Sequence, residues 1–275
     1  MLNETYTLSN GVAIPRLALG TWQVSNDAVV GAVRDAIEVG YRHIDTAIQY
    51  ENEEGIGRAV RESGLDRSEL FITTKIPHDV KTYEDAKAVI DESLARFGFD
   101  YIDLLLIHSP KPWPELFAGS PKTYYEENLV VWNVMIDAYK AGKVRAIGVS
   151  NFEIDDVQNL IDHSEIPPMV NQFRVHIGHT PTELIRFCQE RGILVEAFSP
   201  NATGKLMDKP EIIAMAEKYS VSVPQLSIRY DLQLGVLPLP KTTHREHMLQ
   251  NASLDFVISD EDMAILGAVA EIQSL

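Results

Sequence analysis

Eight short apolar runs, each ending in polar residues, punctuate this chain: LALGTW, HIDTA, LFITTK, IDLLLIH, RAIGVSN, MVNQF, LVEAFS and GVLPLPK. Stretches of helical spacing separate them. Their period predicts helices over 27–39, 53–63, 83–97, 126–141, 154–161, 182–191, 211–219, 224–234 and 245–251. Gly40, Gly142, Gly192 and Gly235 close four of these, as helix C-termini favour. Ahead of the first unit, TYTLSNGVAI reads as a short hairpin turning at Ser9-Asn10-Gly11.

Strands alternating with helices argue for a parallel sheet. Eight such units in 275 residues fit a closed (β/α)8 TIM barrel. The expected architecture is an α/β barrel with an N-terminal β-hairpin, a single domain spanning 1–275. An open doubly wound sheet is the rival, and it usually carries a glycine fingerprint at its first strand–helix turn. LALGTWQ supplies none, and GIGRAV has Val60 where the third glycine belongs. NATGKL lacks both the first glycine and the hydroxyl of a phosphate-binding loop. Nucleotide binding through Gly-rich loops is therefore not expected.

Charge changes the picture more than composition does. The formal net charge is −16, which disfavours general binding to nucleic acid. Any anionic ligand must be held by local positive charge against the overall field. The one cysteine, Cys188, cannot form an internal disulfide, so a reducing compartment is the natural setting. Cys188 lies in a stretch of helical spacing and reads as a small apolar residue. MLNETYTLSNG has no basic end and no long apolar stretch, so no secretory signal is expected. The longest apolar run, LLLI, is far too short to cross a bilayer. The expectation is a cytoplasmic monomer acting on a small molecule, with no membrane or nucleic-acid partner.

In a barrel of this kind, functional side chains sit at the C-terminal ends of strands. Those ends carry Asp45 and Tyr50, Lys75, His108, Ser150 and Asn151, Gln172, and Lys241. Residues 44–48 read as the end of a buried strand. A phenol titrates near about 10 and needs tuning to exchange a proton at neutral pH. An ammonium beside it stabilises the phenolate, and a carboxylate beside the ammonium keeps it charged in a dry site. A histidine can orient a carbonyl or share the proton. Singly, Asp45 could cap, Lys75 could snorkel, Tyr50 could pack and His108 could be a satisfied rim histidine. Together they suit protonation of a carbonyl oxygen while something else attacks the carbon.

These residues carry a resemblance that covers essentially the whole chain. DTAIQYENEEGIGRA resembles the D-x-A-x-x-Y-x-N-E segment of the aldo-keto reductase family. TTKI, DLLLIHSP, AGKVRAIGVSNF, VNQF and LPKTTHREHMLQN resemble further family segments, in the right order. The resemblance implies reversible, metal-free reduction of aldehydes or ketones by a nicotinamide cofactor on a (β/α)8 barrel. By position, Tyr50 is the general acid, Lys75 lowers its pKa, Asp45 pairs with Lys75, and His108 positions the carbonyl. Ser150, Asn151 and Gln172 hold the nicotinamide carboxamide. Phe198 stands where the family stacks a tyrosine on the nicotinamide, so stacking survives without the hydroxyl. Ser199 begins a stretch, SPNATGK, that departs from the family's SPLG at the pyrophosphate contacts. Arg174 stands where many members carry glutamate. Trp22 matches an aromatic of the substrate pocket, and could also be a core plug under the hairpin. Ser109 follows His108 where many members have tryptophan, and Trp113 can take over that aromatic wall.

Lys241 and Thr242 match the family's pair for the adenosine 2′-phosphate, and Gln250 and Asn251 match residues that contact adenine. The family's arginine six residues after the lysine is His247 here, and Arg245 points elsewhere on a helix. A neutral histidine is a poorer phosphate partner than a guanidinium. NADPH is thus the expected cofactor, with NADH also accepted and discrimination restored as acid protonates His247. The pairs His244/His247 and His176/His179 lack a third ligand at sensible spacing and predict no metal. The chain ends at AEIQSL, soon after a helical stretch, without the closing loop of longer members. That predicts an open pocket and broad carbonyl acceptance, including sugar-derived dicarbonyls, as in the shorter bacterial-type members such as diketogluconate reductases. The alternative is a cofactor-binding regulatory or structural member with little turnover.

Overall fold

A parallel strand covered by helices on one side and packed side chains on the other must be apolar on both faces. The segment IDLLLI answers this as strand β6 (Ile102–Ile107), buried at every position. A computed structural model describes residues 1–273; residues 274 and 275, the end of the expected 1–275 domain, lie outside the described residues. Strands β3 (Leu19–Gly20), β4 (His43–Asp45), β5 (Phe71–Ile76), β6, β7 (Val144–Ser150), β8 (Val170–Arg174), β9 (Leu194–Phe198) and β10 (Leu237–Leu239) lie side by side in chain order, all parallel. A parallel bridge between Gly20 and Lys241 joins the last unit to the first. The Gly20 N–H donates to the Pro240 carbonyl at 3.1 Å. A Cβ on Gly20 would lie 3.0 Å from the Leu239 carbonyl oxygen, so any larger residue would press on the closing strand. The eight expected strands thus form the expected α/β barrel.

The hairpin of β1 (Thr5–Thr7) and β2 (Ala13–Pro15) is antiparallel and turns at Gly11, whose φ is 86°. Leu8 and Ile14 are buried in the core, and the Asn10 amide donates to the Arg145 carbonyl at 2.9 Å. Arg145 is the second residue of β7, so the hairpin covers the N-terminal end of the barrel.

Among the described residues the helices are α1 (Asn26–Val39), α2 (Glu53–Glu62), α3 (Tyr83–Phe97), α4 (Trp113–Phe117), α5 (Tyr125–Lys140), α6 (Ile154–His163), α7 (Thr182–Glu190), α8 (Pro210–Lys218), α9 (Val223–Gln233), α10 (Arg245–Ala252) and α11 (Asp260–Gly267). Each of the nine expected helices is present with ends within two residues. Two helices lie outside those nine ranges: α4, whose five residues in a Pro-rich loop are too few to show a period, and α11, the helical stretch that precedes AEIQSL. Ser25 and Thr82 cap α1 and α3 by accepting from backbone N–H groups of the first turn. Cys188 is buried in α7, where burial pushes its thiol up to about 11.

The glycines of GIGRAV serve helix packing. In α2, a Cβ on Gly55 would lie 2.2 Å from the Asn26 carbonyl oxygen, and one on Gly57 would lie 2.1 Å from that of Phe97. The two glycines let α2 meet the start of α1 and the end of α3 at backbone contact. Overpacking of this kind costs about 1–3 kcal/mol. Because backbone rather than a flexible side chain is in the way, Gly57→Ala should reach the top of that range, about 3 kcal/mol, read as a lower urea midpoint at unchanged slope. A G57A variant as stable as the parent would show that the helices separate freely.

Candidate active site

The mouth of the barrel is built from strand ends. Asp45 is the last residue of β4, and Lys75 the second-last of β5. The Lys75 ammonium donates to Asp45 Oδ1 at 2.7 Å and to the Thr46 carbonyl at 2.8 Å. Strand pairing stops at Asp45, short of the Ile48 that the apolar run suggests. Tyr50 instead rides on a single 3-10 turn, Ile48–Tyr50. That turn carries the phenol back over the barrel, with Lys75 Nζ 5.3 Å from the ring centre. His108, one residue beyond β6, meets the Tyr50 ring edge-on at 5.7 Å between centres. Trp113, on α4, stands 5.1 Å from His108 and 5.3 Å from His78, edge-on to both rings.

Burial works to lower the Lys75 pKa, but the Asp45 charge beside it raises it overall, so the ammonium is secure. Burial pushes the Tyr50 phenol up, Lys75 pulls it back and Asp45 raises it further; the net shift is upward. The expected lowering by Lys75 is present, and burial works against it. Desolvation outweighs the ammonium, and the hydroxyl keeps its proton. Burial, then Lys75 and His78, hold His108 well below the usual imidazole range. The site therefore offers one proton donor, Tyr50, beside a neutral imidazole that can hydrogen-bond an oxygen.

Ser150 ends β7 directly beside Gln172 of β8. The Asn151 amide donates to the His108 carbonyl and to Ser150 Oγ, both at 3.0 Å. Phe198 ends β9, half-buried, next to Arg174. Arg174 reaches Glu271 at 4.0 Å, and Glu271 also accepts His179 Nδ1 at 2.9 Å. Lys241 is exposed at the closing bridge, and Thr242 Oγ1 lies 3.4 Å from His247 Nδ1. Arg245 turns away to Glu38 at 2.8 Å, as expected from its position. Gln250 is exposed on α10 and Asn251 buried. Trp22, two residues beyond β3, is 37% exposed, too open for a core plug. Residues with left-handed backbone mark these junctions: Gln23 after Trp22, Glu51 after Tyr50, Asn151 after Ser150 and Ser199 after Phe198.

Several side chains in this region escape a reading by strand ends. Asn52 is buried; its Oδ1 accepts from Thr46 at 2.5 Å, and its amide donates to the Thr21 and Val24 carbonyls at 3.1 and 3.0 Å. Glu53 accepts from Thr74, Ser93 and Arg96, each at 2.7 Å. Both belong to the quoted motif, yet their partners lie far away in sequence. Glu196, inside β9, has no signal beyond being a carboxyl in an apolar run.

The comparisons with known proteins agree with this geometry. A profile of the Aldo/keto reductase family matches residues 16–271. This chain belongs to that family. The reductase is 42% identical over 270 residues to a protein of Bacillus subtilis named glyoxal reductase, covering 98% of this chain and 93% of the relative. It is 36% identical to an aldehyde reductase of Saccharomyces cerevisiae, covering 98% and 92%. The crystal structure of a Bombyx mori aldo-keto reductase in complex with NADP superposes with a TM-score of 0.88 at 36% identity, covering 100% of this chain and 94% of the other. This chain is thus an oxidoreductase of a barrel-fold family. Among the described residues no helix is long and apolar enough to cross a membrane.

The Asn52 anchor ties the Tyr50 turn to the loop after β3. Asn52→Ala leaves one hydroxyl and two carbonyls without their partner, and a buried unmet group costs about 1–3 kcal/mol. A loss of about 2–4 kcal/mol in urea unfolding is expected. A loss below about 1 kcal/mol would mean that water or a shifted backbone replaces the anchor.

Proposed function

We propose that this reductase converts small aldehydes and ketones to alcohols with NADPH, dicarbonyls such as glyoxal among its substrates. The observation that carries the reading is the buried Lys75 ammonium, 2.7 Å from Asp45 and facing the Tyr50 phenol at the barrel mouth. Tyr50 gives its hydroxyl proton to the carbonyl oxygen, and Lys75 stabilises the phenolate that is left. Asp45 keeps Lys75 charged. His108, neutral through burial, donates a hydrogen bond that orients the carbonyl. Trp113 and Trp22 line the substrate side.

The residues present fit a nicotinamide cofactor. Ser150 and Gln172 lie in register to hold a carboxamide, and Phe198 offers an aromatic face beside them. Exposed Lys241, with Thr242 and His247, forms a local polar and cationic patch on a chain of net charge −16. When bound, the nicotinamide supplies the reducing equivalent that the carbonyl carbon accepts. Holding the two reactants in one geometry is where much of the rate arises. Ser199, Gln250 and Asn251 complete the cofactor's groove. The same charge argues against a nucleic-acid partner, and the lone buried Cys188 fits a cytoplasmic setting.

Oxidation of NADPH across a panel of aldehydes, ketones and dicarbonyls tests the reading. Tyr50→Phe should cut reduction by about 100-fold or more while cofactor still binds. A wild type that binds NADPH and turns over nothing would identify a non-catalytic binder instead. His247→Arg should raise the preference for NADPH over NADH, as kcat/KM ratios, by roughly ten- to a hundredfold. An unchanged ratio would remove position 247 from cofactor selection.

A further inference from the structure

Glu196 sits in the middle of β9 with no exposure to solvent. Its Oε2 accepts from Gln172 Nε2 at 2.8 Å, and the same nitrogen donates to Asp45 Oδ2 at 2.8 Å. Both N–H groups of the Gln172 amide are therefore spent on carboxyl groups. Only the nitrogen end can face Asp45, whose other oxygen already accepts from Lys75. The carbonyl end of Gln172 is left free of both carboxyl groups. Glu196 Oε1 has no hydrogen-bond partner among the described residues.

The charged groups facing Glu196 are Asp45 of β4 and Lys75 of β5. Its neighbour on β10 is Leu237, and on β8 Arg174 turns to Glu271 beyond Gln172. Burial, then Asp45, push Glu196 up to about 8, against the pull of Gln172 and Lys75. It thus carries a proton at neutral pH.

We infer that Glu196 is a positioning residue for the reductase reaction, locking the Gln172 amide with its carbonyl oxygen toward the carboxamide site and coupling its charge to the Asp45–Lys75–Tyr50 chain. The inference rests on the function proposed above. While neutral, Glu196 leaves Asp45 as the single anion on the ammonium. When it loses its proton in alkaline solution, a second negative charge sits behind Asp45 and disfavours the Tyr50 phenolate. Reduction uses the phenol, so it tolerates this. Alcohol oxidation uses the phenolate, so its rise with pH is delayed.

The test is the pH profile of kcat/KM for NADP-dependent alcohol oxidation, with NADPH affinity from fluorescence quenching, in wild type, E196Q, E196D and E196L. E196Q still accepts from Gln172, so NADPH affinity should stay within about twofold while the oxidation midpoint moves down by roughly half a pH unit or more. E196D retains an acid and should keep the midpoint near that of wild type. E196L removes the acceptor and should weaken NADPH binding about three- to tenfold. An E196Q midpoint equal to that of an active wild type, or E196L binding equal to wild type, would overturn the role of Glu196 alone. A wild type that reduces no carbonyl would overturn the reductase reading and this role with it.

Discussion

A lysine with 1% of its side chain exposed must find its partners inside the protein. An unpaired ammonium there costs several kcal/mol. Lys75 meets the requirement with the Asp45 carboxylate, the Thr46 carbonyl and the Tyr50 hydroxyl. That set fixes more than a site. β4 and β5 pair with Asp45 opposite Thr73, which puts Lys75 one pleat above on the same inward face. A one-residue slip would turn Lys75 into the helix layer and strand Asp45 in the barrel. The ion pair and the register thus select each other. The second Asp45 oxygen goes to Gln172 on the far side of the barrel, so β8 answers to the same constraint.

Much of this was open to reading because the relevant signals are local. Helical periods and apolar runs are properties of neighbouring residues, and they located nine helices and eight strands. Asp45, Lys75 and His108 were visible because a polar residue closing an apolar run breaks a pattern. What stayed hidden depends on partners far along the chain. Asn52 and Glu53 stand in plain view beside Tyr50, but their work is with Thr21, Val24, Thr74, Ser93 and Arg96. The sequence excludes a dinucleotide fingerprint at Gly55 and Gly57 but offers no use for them until the approach of Asn26 and Phe97 is known. The Tyr50 phenol was legible only in part for a related reason: the charges that act on it can be named from sequence, whereas the burial that opposes Lys75 is a property of the whole fold.

The two ends of the barrel divide the labour. At the N-terminal end, the buried Asp103 carboxylate takes Arg67 at 2.6 Å, Arg145 at 2.8 Å and the Ile72 N–H at 3.0 Å, under the cover of the hairpin. At the other end, Gln23, Glu51, Asn151 and Ser199 hold left-handed backbone without being glycine. Each such residue costs on the order of 1–3 kcal/mol and persists only where its surroundings over-determine it. All four adjoin or belong to the group of residues that would handle substrate and cofactor. A barrel closed and pinned at its base can carry that strain at its rim. The stability that holds the site is thus supplied where no chemistry occurs, and the rim is free to be shaped by the reaction.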